Sequence, residues 1–154
     1  MAVGLPCLPA HFDSAVYKSY LAVMPATVLA DLYEKYGSRL LEQNVRSFLQ
    51  VRGNVNKGIR ATILNDPEMF FAYNNGLTAT AREIRTVDSG NGTFIVSLKD
   101  LQIVNGGQTT ASLFYTHRKD KAPLDKVFVQ VKLSIVDEEK SEEVAHGLTR
   151  IFTD

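Results

Sequence analysis

The sequence predicts a mixed α/β domain, in which a central mixed sheet of about four to five strands is flanked by about five to six helices. Strand-like and helix-like segments alternate along the chain, and two strand-like segments are joined by the glycine-containing loop 88–92, which is typical of a β-hairpin. With 154 residues the chain is long enough for one domain with a substantial core. We expect an irregular lead-in over residues 1–15, which contains two prolines, and a single domain over residues 16–154.

The first regular elements are predicted from composition and periodicity. Residues 17–26 are rich in β-branched and aromatic side chains and contain Pro25, which indicates a strand that ends there. Residues 26–37 have the helical period, with Gly37 as a natural C-cap. The apolar face of this helix consists of Val28, Leu29, Leu32 and Tyr36.

Three further helical segments follow. Residues 39–50 repeat the apolar period, and residues 55–65 are predicted to form a helix with Asn54 as its N-cap. Residues 67–73 begin with a proline, which favours the first helical position. They run into Asn-Asn-Gly at 74–76, which indicates left-handed backbone and therefore a cap or a turn.

The second half is predicted to contain a hairpin, a strand and two helices. Residues 77–87 and 93–104 form the hairpin, and a helix covers about 109–118. Residues 126–136 alternate as a strand does, and residues 137–152 have a helical pattern with carboxylates in the first turn. This last helix reaches the end of the sequence without a cap, so we expect the chain to be a piece of a longer protein.

Composition excludes several classes of protein. The formal net charge is zero, so the charge of the whole chain does not favour nucleic acid or membrane. A single cysteine excludes an internal disulfide framework and suits a reducing compartment. No apolar run is long enough for a transmembrane helix, and the first residues lack the pattern of a signal peptide. We therefore expect a cytoplasmic protein without membrane contact, and an oligomer is compatible with the sequence.

The junction of strand and helix at residues 105–110 is the principal candidate site. Backbone N–H groups at the start of a helix attract anions, and glycines allow a phosphate to approach closely. Threonine hydroxyls can cap the helix or donate to a ligand, and a glutamine can bind a base edge or a ribose. The predicted ligand-binding residues are Asn105, Gly106, Gly107, Gln108, Thr109 and Thr110. On this interpretation Gly107→Val blocks a phosphate and leaves the fold mostly intact.

The alternative interpretation of this junction is a tight turn with an N-capping threonine. The stretch has no lysine after its glycines, as a P-loop has, and it does not match the dinucleotide-binding fingerprint.

Other amides and cations are candidates for the same site. Asn44 falls inside the apolar arc of its helix, where it either bonds to nearby backbone or orients a ligand. The amide-rich turns add Asn56, Asn74, Asn75 and Gly76, for which capping and turn geometry is the alternative explanation. Arg46, Lys57 and Arg60 belong to a segment with excess positive charge, which suits phosphate but is also common on a solvated helix face.

Residues typical of catalysis are not grouped in the sequence. The three histidines lack metal-ligand spacing, and nothing beside Cys7 indicates an activated thiol. No metal ligand is predicted, the catalytic residues stay unassigned, and a nucleotide with Mg²⁺ is the candidate cofactor.

Three stretches in order, residues 40–49, 55–81 and 101–113, together resemble the AIPR family, the abortive infection phage resistance proteins. The similarity in order and spacing extends from about Tyr20 to Val136. It implies a bacterial phage-defence protein, often encoded beside restriction–modification systems, and longer than this chain. A nuclease-like region would precede the fragment and helical sequence would follow it.

A more distant similarity concerns shape. ParB-type partition proteins and sulfiredoxin also have a strand that enters a glycine-containing turn and then a helix, and their turn contacts nucleotide phosphates. Here Gln108-Thr109-Thr110 stand where those proteins often carry arginine, which weakens the case for hydrolysis and leaves binding open.

Three functions follow from these observations. The first is a sensor domain that binds nucleotide or nucleic acid. The second is part of a nuclease or nucleotide-hydrolysing enzyme whose catalytic residues lie outside the fragment. The third is a scaffold that docks against other parts of the full-length protein.

Overall fold

The computed structural model describes residues 2–11, 18–52 and 55–135, with the side chains of residues 2, 51 and 52 excepted. Its seven strands are β1 (Ala2–Pro9), β2 (Lys18–Pro25), β3 (Leu77–Ala81), β4 (Glu83–Ser89), β5 (Gly92–Lys99), β6 (Gln102–Asn105) and β7 (Phe128–Ile135). The five α-helices are α1 (Ala26–Tyr36), α2 (Gln43–Arg52), α3 (Lys57–Asn65), α4 (Phe70–Tyr73) and α5 (Gly107–Asp120), and short 3₁₀ helices cover Gly37–Leu40 and Pro67–Met69. The mixed α/β class is confirmed. The predicted count of four to five strands is wrong.

All seven strands belong to one mixed sheet, in the order β4-β5-β1-β2-β7-β3-β6. Only the β3–β7 pair is parallel among the described pairs. A single residue, Arg82, separates β3 from β4, although these strands stand near opposite ends of the order. The sheet must therefore curl until its ends meet. Leu5, Ala79, Leu98 and Leu133, from four different strands, are buried in the interior that this curl encloses.

The expected irregular lead-in is wrong for Ala2–Pro9, which form β1 between β5 and β2. Proline lacks the N–H that a central strand donates, so its two prolines argued against a strand. Pro6 pairs only with β5, opposite Phe94, and Pro9 pairs only with β2, opposite Tyr20. Each proline thus has a paired neighbour on one side only, as on an edge strand. Whether residues 16–154 form one domain stays a prediction.

The predicted hairpin is correct at its tip and incomplete elsewhere. β4 pairs with β5 from Ser89↔Gly92 to Glu83↔Lys99. Beyond that point each predicted strand divides into two, and β3 pairs with β6 on the far side of the sheet. The backbone N–H of Arg82 donates to the carbonyl of Lys99 at 2.8 Å, which holds the two halves together at the bend.

The predicted α1 is confirmed, and Gly37 ends it with a φ of +60°. The helix predicted over 39–50 is interrupted, because Leu41 forms a parallel bridge with Ile103 and the N–H of Glu42 donates to the Ile103 carbonyl at 2.9 Å. Only after this contact with β6 does α2 begin. A sheet contact from distant sequence has therefore overridden the local helical period.

The boundaries of α3 and α5 also differ from prediction. Asn56, not Asn54, is the N-cap of α3, and its Oδ1 accepts from the Ile59 N–H at 3.0 Å. Asn54 and the helix predicted over 137–152 lie outside the described residues. α5 begins at Gly107, two residues before the predicted start. Among the described helices, none is long and apolar enough to cross a membrane.

Candidate amide-lined functional site

Two of the amide-rich stretches and two helices meet in one cleft of about 350 Å³, here called the amide cleft. The strand-to-helix junction forms one wall and the Asn-Asn-Gly turn forms another, with α2 and α3 beside them. Its lining residues are Val45, Phe48, Ile59, Tyr73, Asn74, Asn75, Gly76, Asn105, Gly106, Gly107, Gln108 and Thr109. The structure thus brings together residues that lie more than 30 positions apart in the sequence.

The start of α5 provides unpaired backbone donors at this cleft. The first helical hydrogen bond runs from the Thr110 N–H to the Gly106 carbonyl at 3.1 Å. The three preceding N–H groups, on Gly107, Gln108 and Thr109, have no acceptor within the described part of the chain. Such groups carry the positive end of the helix dipole, so the cleft has an electropositive wall without any charged side chain.

Gly107 has a packing role that the sequence did not indicate. It is buried, and a Cβ atom placed on it would overlap Cγ1 of Val45 on α2. Gly107→Val would therefore damage the α2–α5 contact, and the expectation that it leaves the fold mostly intact is wrong. Gly106 has a φ of +98°, and a Cβ there would overlap Leu77.

The Asn-Asn-Gly turn is also built by structural contacts. Asn74 Oδ1 accepts from the Gly76 N–H at 2.8 Å, which is an Asx turn, and its Nδ2 donates to Thr109 Oγ1 at 3.2 Å. Gly76 has a φ of +84°, and a Cβ on it would overlap the carbonyl oxygen of Gln130 in β7. The turn is therefore fixed to both α5 and β7.

Asn56 connects α3 to α5. Besides capping α3, it donates its backbone N–H to Ser112 Oγ at 2.9 Å and its Nδ2 to Gln108 Oε1 at 3.4 Å. The buried Thr110 hydroxyl donates to the Gly106 carbonyl at 3.1 Å. These contacts support the turn-and-cap interpretation for Asn56, Asn74 and Thr110.

Two amide side chains are not explained by the fold. Asn75 is exposed and Asn105 is half-buried, and neither side chain has a hydrogen bond to another described residue. Together with Gln108 they present their polar groups where the α5 N–H groups also lie. These three amides are the side chains most available to a ligand.

Six predicted site residues do not line the amide cleft: Asn44, Arg46, Asn56, Lys57, Arg60 and Thr110. Asn44 is exposed, not buried in an apolar arc, and its Nδ2 donates to Glu42 Oε1 at 3.3 Å. Lys57 is exposed at the first position of α3. Arg46 lies in the first turn of α2, where its buried Nε has no hydrogen-bond partner among the described residues.

Arg60 is paired with Asp120 at the far end of α5. Nε and a terminal nitrogen of Arg60 each lie 2.9 Å from one carboxylate oxygen of Asp120, a bidentate ion pair. The hydrogen bond from Arg60 lowers the pKa of the Asp120 carboxyl below its ordinary value, and the carboxylate raises the pKa of Arg60. The charge of Arg60 therefore fixes α3 to α5.

Sequence reasoning missed the apolar and aromatic lining of the cleft. Tyr73 is 63% exposed and Phe48 is 39% exposed, and both side chains line the cleft. Phe48 falls on the apolar period of residues 39–50, a position typical of a core residue. An aromatic residue directly before Asn-Asn-Gly was the available signal for Tyr73.

A second and larger cleft, of about 520 Å³, lies where β5 meets β6 and is here called the Tyr36 cleft. Its lining residues are Tyr36, Arg39, Leu40, Leu98, Lys99, Asp100, Leu101 and Gln102. Asp100 has a left-handed φ of 55° and forms an ion pair with Arg82, with Nε 3.1 Å from Oδ2. No motif in the sequence indicates this cleft.

In the described part of the chain, no group of three His, Cys, Asp or Glu side chains is arranged to hold a metal ion. The lining of the amide cleft offers carbonyl and amide groups, which suit a polar organic ligand or a phosphate.

The family model described as AIPR protein matches residues 41–151. The chain belongs to the AIPR family. This match confirms the family that the three sequence stretches indicated, and the AIPR family implies a role in phage defence by abortive infection. No curated protein and no solved structure matches the chain. The similarity of shape to ParB-type proteins and sulfiredoxin stays a prediction.

Proposed function

We propose that this AIPR chain is the ligand-recognition domain of a bacterial phage-defence protein and that the amide cleft binds a nucleotide. One observation carries the proposal: separate amide-rich stretches converge on the unpaired N–H groups at the start of α5. In this proposal the domain acts as a sensor in the cytoplasm, in cells that also carry restriction–modification systems.

The cleft has the properties that a nucleotide requires. Its volume of about 350 Å³ falls within the range of small-molecule sites. The α5 N–H groups suit a phosphate, because unpaired donors and the helix dipole both favour an anion. The rings of Tyr73 and Phe48 suit stacking on a base, and stacking tolerates any base because every base has a π face.

The amides supply the means of discrimination. A primary amide both donates and accepts, so the side chains of Asn75, Asn105 and Gln108 can pair with a base edge. Gln108 already accepts a bond from Asn56 and keeps its own NH₂ donors for a ligand. The absence of cations from the described lining favours a compact ligand over a long phosphate backbone inside this cleft.

The test compares nucleoside monophosphates with the corresponding nucleosides by calorimetric titration, with and without Mg²⁺. We expect only the monophosphates to bind. Asn75→Asp places a carboxylate beside the phosphate site and should raise Kd about tenfold, equivalent to about 1.4 kcal/mol. The matched control is Asn91→Asp, which adds the same charge in the exposed β4–β5 turn.

The aromatic wall has its own matched pair. Tyr73→Ala should weaken binding, whereas Phe71→Ala should not, since Phe71 belongs to the same short helix, is 46% exposed and does not line the cleft. Binding that is equal in both members of each pair, or no binding of any monophosphate, would contradict the proposal.

A further inference from the structure

The two clefts lie at opposite ends of one short strand. Gln102, at the start of β6, lines the Tyr36 cleft, and Asn105, at its end, lines the amide cleft. Three residue steps separate them, which is about 10 Å in a β-strand. The clefts also flank the segment 41–44, because Leu40 lines the Tyr36 cleft and Val45 lines the amide cleft. A ligand that crosses this segment therefore joins the two clefts within the length of about one or two nucleotides.

The Tyr36 cleft contains the charges that the amide cleft lacks. Arg39 and Lys99 are exposed, and neither forms an ion pair with a carboxylate among the described residues. The one acid in the lining, Asp100, is paired with Arg82. Two cations thus stay available for phosphate groups.

The remaining lining suits a base. Tyr36 is half-buried and lies with Leu40 and Leu101 in the wall of the cleft, and Gln102 provides an exposed amide. A ring, an amide and adjacent cations are the groups with which single-stranded nucleic acid is bound. The amide cleft repeats the ring and the amides, and has the α5 N–H groups in place of cations.

We infer that the ligand of this domain is a single-stranded oligonucleotide, with one nucleotide in the amide cleft and the next part of the strand in the Tyr36 cleft. This inference rests on the proposed function and specifies its ligand. A single strand fits better than a duplex, because the rings and amides of both clefts require unstacked bases with free edges.

One acidic group lies between the clefts. Glu42 directly follows the bridge between Leu41 and Ile103, and its two carboxylate oxygens accept hydrogen bonds from the backbone N–H and the Nδ2 of Asn44, at 2.9 and 3.3 Å. Arg46 follows on the next turn, and its N–H donates to the Glu42 carbonyl at 3.0 Å. The Glu42 carboxylate is therefore hydrogen-bonded within its own segment of the chain, and Arg46 adds a positive charge four residues later.

The experiment measures Kd for a mononucleotide and for a 5′-phosphorylated tetranucleotide of the same base, by fluorescence anisotropy competition at two salt concentrations. We expect the tetranucleotide to bind at least tenfold more tightly and with the steeper salt dependence, because it releases more counterions. The double variant R39Q/K99Q should lose most of that advantage and leave the affinity for the mononucleotide unchanged.

The charge-matched control is R118Q/K119Q, which removes two exposed cations from the end of α5, away from both clefts. Mononucleotide binding without any gain from the longer strand would overturn the inference and leave the proposed function standing. Equal losses in the two double variants would also overturn it. If neither ligand binds, the proposed function and the inference both fail.

Discussion

The side chain of Val45 on α2 occupies the space into which a Cβ atom on Gly107 of α5 would project. The glycine is therefore needed for the close approach of two helices at the wall of the amide cleft. Packing against Val45 is therefore sufficient to explain the glycine at position 107, whether or not the junction binds a ligand.

The first prediction is a double-mutant cycle on this contact. Gly107→Ala should destabilise the protein by about 1–3 kcal/mol through overpacking. In the Val45→Ala background the same change should cost much less, because the overlapping methyl group is gone, and the coupling should exceed about 1 kcal/mol. Urea denaturation of the four proteins measures the cycle. Additive effects would show that the two residues do not compete for this space.

The second prediction concerns the two roles of Asn56. Asn56→Ala removes the cap of α3 and should cost about 1 kcal/mol. Asn56→Asp keeps an acceptor for the Ile59 N–H and loses the donor to Gln108, so its stability should stay closer to that of the wild type. Thermal unfolding of both variants measures the difference, and an Asp variant as unstable as the Ala variant would assign the effect to the Gln108 contact.

The third prediction follows from the Arg60–Asp120 ion pair. The pKa of Asp120 is lower in the folded protein than the ordinary value of about 3.9. Its contribution is therefore fully present above that value and is lost as the pH falls through the folded-state pKa. Asp120→Asn should lower Tm at neutral pH, and the difference from the wild type should disappear in acid.

Asp125→Asn is the control for this titration. Asp125 is exposed nearby and forms no ion pair with a described residue, so its replacement should leave Tm nearly unchanged at each pH. A Tm difference for Asp120→Asn that persists unchanged into strong acid would mean that the carboxylate contributes nothing through its charge.

The fourth prediction uses the ligand as a probe of the fold. A monophosphate at a hundred times its Kd should raise the free energy of unfolding by about 2.7 kcal/mol, which is roughly 5–10 °C in Tm for a domain of this size. Asn75→Asp at the same ligand concentration should lose about half of this stabilisation, since a tenfold weaker Kd removes about 1.4 kcal/mol. An equal rise with the nucleoside would assign binding to the ring stacking and not to the α5 N–H groups.

The parts of the fold that could be predicted are those set by neighbouring residues. The period of α1, its cap at Gly37, the turn of the β4–β5 hairpin and the alternation of β7 are all local. The predictions that were wrong concern elements whose structure depends on residues distant in the sequence. β1 was missed because a strand can contain Pro6 only where the proline needs no hydrogen bond from its nitrogen, and this depends on how the distant strand β5 pairs with it. The helix predicted over 39–50 was interrupted by the bridge between Leu41 and Ile103.

The same division holds for the candidate site. Asn75, Asn105 and Gln108 were found because amides and glycines stand out in a sequence, and the structure places them in one cleft. Phe48 and Tyr73 were missed because an aromatic residue at helical spacing is indistinguishable from core. Arg60 was predicted from its charge, but its partner Asp120 lies 60 positions away and could not be inferred.

β7 is the last described strand to be synthesised, yet it lies between β2 and β3 near the middle of the sheet. During synthesis on the ribosome, the edges of β2 and β3 that pair with β7 therefore stay without that partner until residue 135 has emerged. The Asn-Asn-Gly turn depends on the same strand, since Gly76 packs directly on the backbone of Gln130. A nascent chain that has not yet reached β7 accordingly lacks the strand on which one wall of the amide cleft packs, so we expect the cleft to form only after β7 has been added.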